Sequence, residues 1–326
     1  MPKSKDMDTQ WMRCVAAFFV VLIHAVDLSS RTGVFFSAIA RFSVPVFVLI
    51  SGYYMLQKQR SFHELAKRSG FLLLQLIFWS SVQFLVELVL DTRTWNGVSD
   101  FVYTVLAGGG HFWYLYALIG LYLFAPILQV FTNHADKHTY GYALVLLFLL
   151  GSPLTIALRM ERFSLLAAIV DNMKIPHILG FIFLYLMGDW LRRYPPKRYL
   201  IWIIAGILGM TATVLWSLRL PPARAAELSL SFFFPGNMLG AIGFFVAVKT
   251  LYRSTGSRFM MTVSACTPGI YLSHMIALKC LHLWLWPSLP ALPSWIAYPL
   301  LTTAAYALAF LLSFLLRQIP LIRKLV

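Results

Sequence analysis

Arg13 and His24 stand eleven residues apart inside the first long apolar run, WMRCVAAFFVVLIHAVDL. On a helix this interval is about three turns, so both side chains share a face and lie ~16 Å apart along the axis. Both are costly inside a bilayer unless something uses them. The pair suggests a cation holding phosphate near one membrane surface and a base a pantetheine's length away. A membrane enzyme that uses an acyl-CoA needs that geometry. Taken singly, Arg13 reads as a snorkelling anchor and His24 as a polar contact between helices. The spacing is what joins them.

Other residues fall near these two. Asp27 follows His24 by three positions and can accept a hydrogen bond from one imidazole nitrogen, leaving the other as a base. Arg41, on the second apolar run FSAIARFSVPVFVLISGYYML, is at a depth similar to His24. It either neutralises Asp27 or stabilises an oxyanion. Lys67 and Arg68 follow the basic loop LQKQRSFHE and, with Arg13, offer a cytoplasmic mouth for phosphates. Their alternative is orientation charge alone. In GGGHFWYLYAL, His111, Trp113 and Tyr116 suit a sugar acceptor. An interfacial aromatic belt accounts for Trp113 without function, but not for His111. His274, Lys279 and His282 are secondary candidates; the five-residue spacing of the first two puts them on different helix faces.

The positioning elements follow from composition. The 326 residues are 60% hydrophobic and 12% charged, against roughly 25% charged in soluble domains. Runs near the ~20 residues that cross a bilayer recur along the whole length. The expected fold is an all-α polytopic membrane bundle and a single domain, 1–326. About ten helices are expected, near 11–30, 34–56, 70–90, 112–131, 140–158, 175–191, 199–218, 231–251, 262–286 and 296–317. Turns are expected at Pro153, Pro195-Pro196, Pro221-Pro222 and Pro287. With both termini cytoplasmic, seventeen Lys and Arg fall on the inside and seven outside, as the positive-inside rule requires. The first run is read as a retained helix rather than a cleaved signal. Cys14, Cys266 and Cys280 read as small apolar residues.

Several functions are excluded by inventory. The net charge of +15 is spread over short loops, with no basic domain for nucleic acid. There is no phosphate-binding loop sequence, no HExxH or paired-cysteine metal signature and no GxSxG; no metal is expected. A flippase or transporter for a glycolipid or anionic solute is the alternative reading, weakened by the lack of an internal repeat.

RCVAAFFVVLIH, ARFSVPVFVLISGYYML, GGGHFWYLYALIGLYLFAPIL and TPGIYLSHMIAL together resemble the acyltransferase family 3 integral membrane proteins. The short chain, with no appended esterase-like domain, resembles the enterobacterial common antigen O-acetyltransferase branch. The resemblance implies a ten-helix core, acetyl-CoA as co-substrate with no tightly bound cofactor, and a carbohydrate or lipid-linked glycan acceptor. It also implies residence in the bacterial cytoplasmic (inner) membrane, among membrane lipid, and importance for Arg13 and His24. Two positions depart from the family pattern. Gln10 stands where an Asp is usual, Asp8 being the nearest acid, and Lys67-Arg68 replaces a pair of arginines three apart.

Overall fold

The structure, a computed structural model, describes residues 7–107, 110–158, 176–252, 257–284, 292–320 and 322–326. The expected turn at Pro287 lies outside the described residues, as do Gly108, Gly109 and, among the counted charges, Lys3, Lys5, Arg159, Arg162, Lys174 and Arg253. Among the described residues there are fourteen α-helices and one 3-10 turn, with no strand. Five stretches of the described residues are long and apolar enough to cross a membrane: Arg31–Met55, Phe62–Val89, Gly110–His134, Tyr199–Arg219 and Ser294–Leu316. The chain divides into two compact units.

The first unit takes residues 1–19, 26–59 and 124–255. It holds the start of α1 (Met7–Ala25), α2 (Arg31–Ala40), α3 (Ser43–Met55) and the end of α6 (Trp113–His134). It continues through α7 (Lys137–Gly151), α8 (Pro153–Leu158), α9 (Pro176–Arg193), α10 (Tyr199–Arg219), α11 (Pro222–Glu227) and α12 (Pro235–Leu251). Small residues set its packing. A Cβ at Gly52 would overlap the Tyr185 carbonyl, and one at Gly188 the Leu49 carbonyl, so α3 and α9 touch backbone to backbone.

The second unit takes residues 20–25, 60–123 and 256–326. It holds the end of α1, α4 (Phe62–Val89), α5 (Val98–Ala107), the 3-10 turn Gly110–Phe112, the start of α6, α13 (Arg258–Trp284) and α14 (Ser294–Leu316). Leu76, Trp79, Phe112, Leu115, Leu272, Ile276 and Val326 form its core. The Trp79 indole donates to the Leu325 carbonyl over 2.9 Å, which satisfies the polar end of a buried ring.

Of the boundaries that differ from the hydropathy reading, three have a clear local reason; in addition, the expected 140–158 helix is two, α7 and α8, and α5 has no expected counterpart. The expected 34–56 helix is two, because Pro45 has no N–H for the Arg41 carbonyl and the chain turns at Arg41-Phe42. The expected 70–90 helix begins at Phe62. Ser61 accepts from the Glu64 amide, and Arg60 and Arg68 both pair with Glu64, so a charged stretch that reads as loop is helix. Helix α1 stops at Ala25 rather than near residue 30, since Ser30 bonds the Asp27 carbonyl and caps α2 through the Gly33 amide.

Candidate functional site

His24 lies on the last turn of α1, exposed between the buried Ile23 and Ala25. Two further imidazoles of the second unit stand against it. The His24 ring is 5.2 Å from that of His274 and 6.3 Å from that of His111, and the latter two are 4.6 Å apart. His111 and His274 are both buried.

Local structure explains each placement. Gly110 has a φ of +67°, a left-handed conformation that favours glycine. It opens the 3-10 turn from which His111 and Phe112 enter the core, with ring centroids 4.0 Å apart. His274 projects from the middle of α13, three residues after Tyr271. The Tyr271 hydroxyl donates to the His111 carbonyl, and His274 Nδ1 lies 2.6 Å from the Tyr271 carbonyl. Tyr114 packs edge-on against Tyr271 at 5.7 Å. Both ring nitrogens of His111 and Nε2 of His274 have no partner in hydrogen-bond geometry. Buried polar atoms of this kind ask for a functional explanation. Among the described residues no three His, Cys, Asp or Glu converge as metal ligands, the three imidazoles included.

The structure thus places the His111 and His274 rings beside that of His24, with Tyr271 next to them. The sequence signal of His274 and Tyr271 was an i, i+3 polar pair, Y-L-S-H, on an otherwise apolar helix. Lys279 serves elsewhere, pairing with Glu87 of α4. Trp113 stacks edge-on with Tyr114, and the Tyr116 hydroxyl donates to the Leu106 carbonyl, tying α6 to the end of α5.

Asp27 and Arg41 belong to the first unit, and each has partners close in sequence. The Asp27 carboxylate accepts from the Ser29 hydroxyl at 2.5 Å and the Ser29 amide at 2.9 Å. Those two bonds hold its carboxyl below the usual carboxylate range. Arg41 donates to Ser37 Oγ over 3.2 Å and stacks over Phe232 at 5.0 Å.

The expected phosphate-holding cations sit in two places. Arg13 lines a small cavity of the first unit with Thr9, Gln10 and Tyr54. Asp8 is engaged by Lys249, whose ammonium is 3.0 Å from Asp8 Oδ2 and 2.9 Å from Thr9 Oγ1. Lys67 and Arg68 line an open cleft of about 670 Å³ in the second unit, with Glu64, Phe71 and Tyr122. Glu64 pairs with Arg68 at 3.1 Å but is shared with Arg60. A second open cleft of that unit, about 630 Å³, is lined by Arg258, Arg317 and Arg323 with no carboxylate among its lining residues. In the sequence those arginines read only as orientation charges.

A helical membrane protein with an accessible histidine against two buried ones is a candidate for acyl or proton transfer within the bilayer. The chain matches the acyltransferase domain model of acyltransferase family 3 over residues 8–317, and it belongs to that family. It matches no curated protein and no solved structure.

Proposed function

We propose that this membrane acyltransferase moves an acetyl group from cytoplasmic acetyl-CoA to a hydroxyl of an envelope or surface glycan, with His24 as general base. The observation that carries the reading is the exposed His24 imidazole set against the buried His111 and His274. A base must be reachable by its substrate and held in place by something that does not leave.

The chemistry balances without a further reactant. His24 takes the proton of the acceptor hydroxyl as its oxygen bonds to the thioester carbonyl carbon. The tetrahedral intermediate expels the CoA thiolate, which takes that proton from the imidazolium. Direct transfer needs one such addition and elimination, whereas an acetyl-histidine relay needs two. Arg13, Lys67 and Arg68 are the assigned donor-phosphate residues. Arg258 begins α13 sixteen residues before His274, ~24 Å along a helix, and its cleft offers further cations at that end. His111, Trp113 and Tyr116 are assigned to the acceptor side. Asp27 is assigned to orienting the base, and Arg41 to the oxyanion or to the charge of Asp27.

The orientation proposed is ten spans with both termini cytoplasmic, in the bacterial inner membrane, supported by the asymmetry of Lys and Arg along the chain. The test is transfer of labelled acetyl from acetyl-CoA to extracted envelope glycolipid by reconstituted protein. His24-dependent label in the glycolipid supports the reading. Label that is unchanged in a folded His24→Ala protein overturns the role of His24. Glycolipid movement across the bilayer with no label transferred moves the assignment to a flippase.

A further inference from the structure

The open cleft of about 630 Å³ in the second unit gathers arginines from three stretches of chain. Arg258 opens α13, Arg317 directly follows α14, and Arg323 lies in the turns beyond it. Arg258 and Arg323 are exposed, and among the described residues neither guanidinium has an ion pair or a hydrogen bond. Arg317 is partly engaged: it donates to the Ala265 carbonyl over 2.8 Å and to the Val326 carbonyl over 3.3 Å. Cations gathered in one cleft repel one another, and their complement is an anion with several oxygens.

The face on which the cleft lies separates it from the chemistry. Ala265, in its wall, precedes His274 by nine residues on α13. That is two and a half turns, so the two residues point to opposite sides of the helix. Ala265 is exposed and His274 is buried. Arg258 is turned ~160° from His274 on the same count. The arginines add to the positive field at this end of the helix, but their cleft opens away from the imidazoles that a thioester has to reach.

The depth of the cleft and its margin fit lipid. Helix α14, Ser294–Leu316, is long and apolar enough to span a bilayer, and Arg317 is the first residue past it. Headgroup phosphates lie at that level. Leu311, Phe314 and Gln318 recur at i, i+3 and i+7, one stripe of α14. Phe314 and Gln318 line the cleft, and Leu311 and Phe314 are exposed. Phe259, beside Arg258, is also exposed and packs 6.2 Å from Phe310, which carries the apolar margin across both helices. Basic pockets between helices at a membrane surface hold anionic headgroups in this way. A soluble anion would use the arginines and leave the apolar margin uncovered.

We infer that this cleft is a binding site for the headgroup phosphate of an anionic phospholipid, held by Arg258 and Arg323 with Arg317 at its edge, the acyl chains lying along Leu311 and Phe314. The site is independent of the transfer reading and needs only that the protein be in a membrane.

Native mass spectrometry tests the assignment, on protein released from phosphatidylcholine nanodiscs that hold cardiolipin and phosphatidylglycerol as minor components. Wild type is expected to retain one of the two anionic lipids in preference to phosphatidylcholine. Arg258→Gln with Arg323→Gln is expected to lower that retention about 30-fold, the effect of two arginines near a charged surface. Arg323→Gln alone, outside any helix, is expected to act in the same direction. Lys197→Gln with Arg198→Gln removes the same charge from another exposed basic loop and is expected to leave retention unchanged. No preference for anionic lipid overturns the inference. So does an equal loss in both double variants, which would mean that a diffuse field holds the lipid. Displacement of the lipid by excess soluble CoA also overturns it and gives the cleft to the donor.

Discussion

His24 is the exposed member of three contacting imidazoles, and the other two are sealed in the core. Under the proposed function that asymmetry suits His24 to the reacting role and His274 to positioning it, with His111 on the acceptor side. Replacing His24 with Ala is expected to lower the transfer rate by ~10²–10⁴-fold, the usual range for a general base. His274→Ala is expected to cost less, up to ~10²-fold, because it displaces the base without removing it. Steady-state rates on folded variants check both, and an equal loss in the two would contradict the division of roles. Arg13→Ala is expected to raise the KM for acetyl-CoA with kcat nearly kept, the pattern of lost uniform binding. A fall in kcat with KM unchanged would count against a donor site there. His24 and His111 stand out as candidates in the sequence, since a histidine in an apolar run has few uses. His274 was seen without its role, because spacing along α13 does not say which helices its faces meet. Lys279 shows the same limit: its partner Glu87 is 192 residues away, beyond any local pattern.

The helices hold these residues by contacts that a hydropathy profile does not contain. In the first unit Asp189 of α9 is fully buried and pairs with Arg192 at 2.5 Å and Arg193 at 2.6 Å. The Tyr140 hydroxyl of α7 donates to it over 3.1 Å, and Arg193 reaches Asn133 on α6. This network joins three helices. Removing the carboxylate leaves two partly exposed guanidiniums and the buried Tyr140 hydroxyl without their partner, so Asp189→Ala is expected to destabilise by about 1–3 kcal/mol, read as a fall in the unfolding midpoint. Little change would mean that the helices are held by apolar packing alone. Bulk at the α3–α9 contact is expected to act as strongly: Gly188→Leu should abolish the folded protein in detergent, whereas Gly70→Ala, with open space around it, should be silent. Caps and breaks were partly legible. Pro45 was the available signal for the break at Arg41-Phe42, which the single expected helix 34–56 did not contain, while the start of α4 was hidden because its first turns are charged. Ser61 and Glu64, three apart, were the available signal.

At the scale of the whole molecule, composition was enough for an all-helical membrane protein, and the family assignment over residues 8–317 agrees. Charge counts give a direction to the chain that packing within each unit does not. In a background with Cys14, Cys266 and Cys280 replaced by Ala, a thiol at Gln59 is expected to be labelled only after the cytoplasmic side is opened. One at Asn96 should label from outside, and the reverse pattern would invert the orientation. The proposed division of labour across the membrane, donor within and acceptor without, depends on that result. The most direct test of the central claim is release of CoA from acetyl-CoA by protein in lipid nanodiscs supplied with extracted envelope glycolipid, comparing wild type with His24→Ala. The account predicts glycolipid-dependent release by wild type and its loss, by at least ~10²-fold, in a folded His24→Ala protein. Equal release by the two, or none by wild type with glycolipid present, would contradict it.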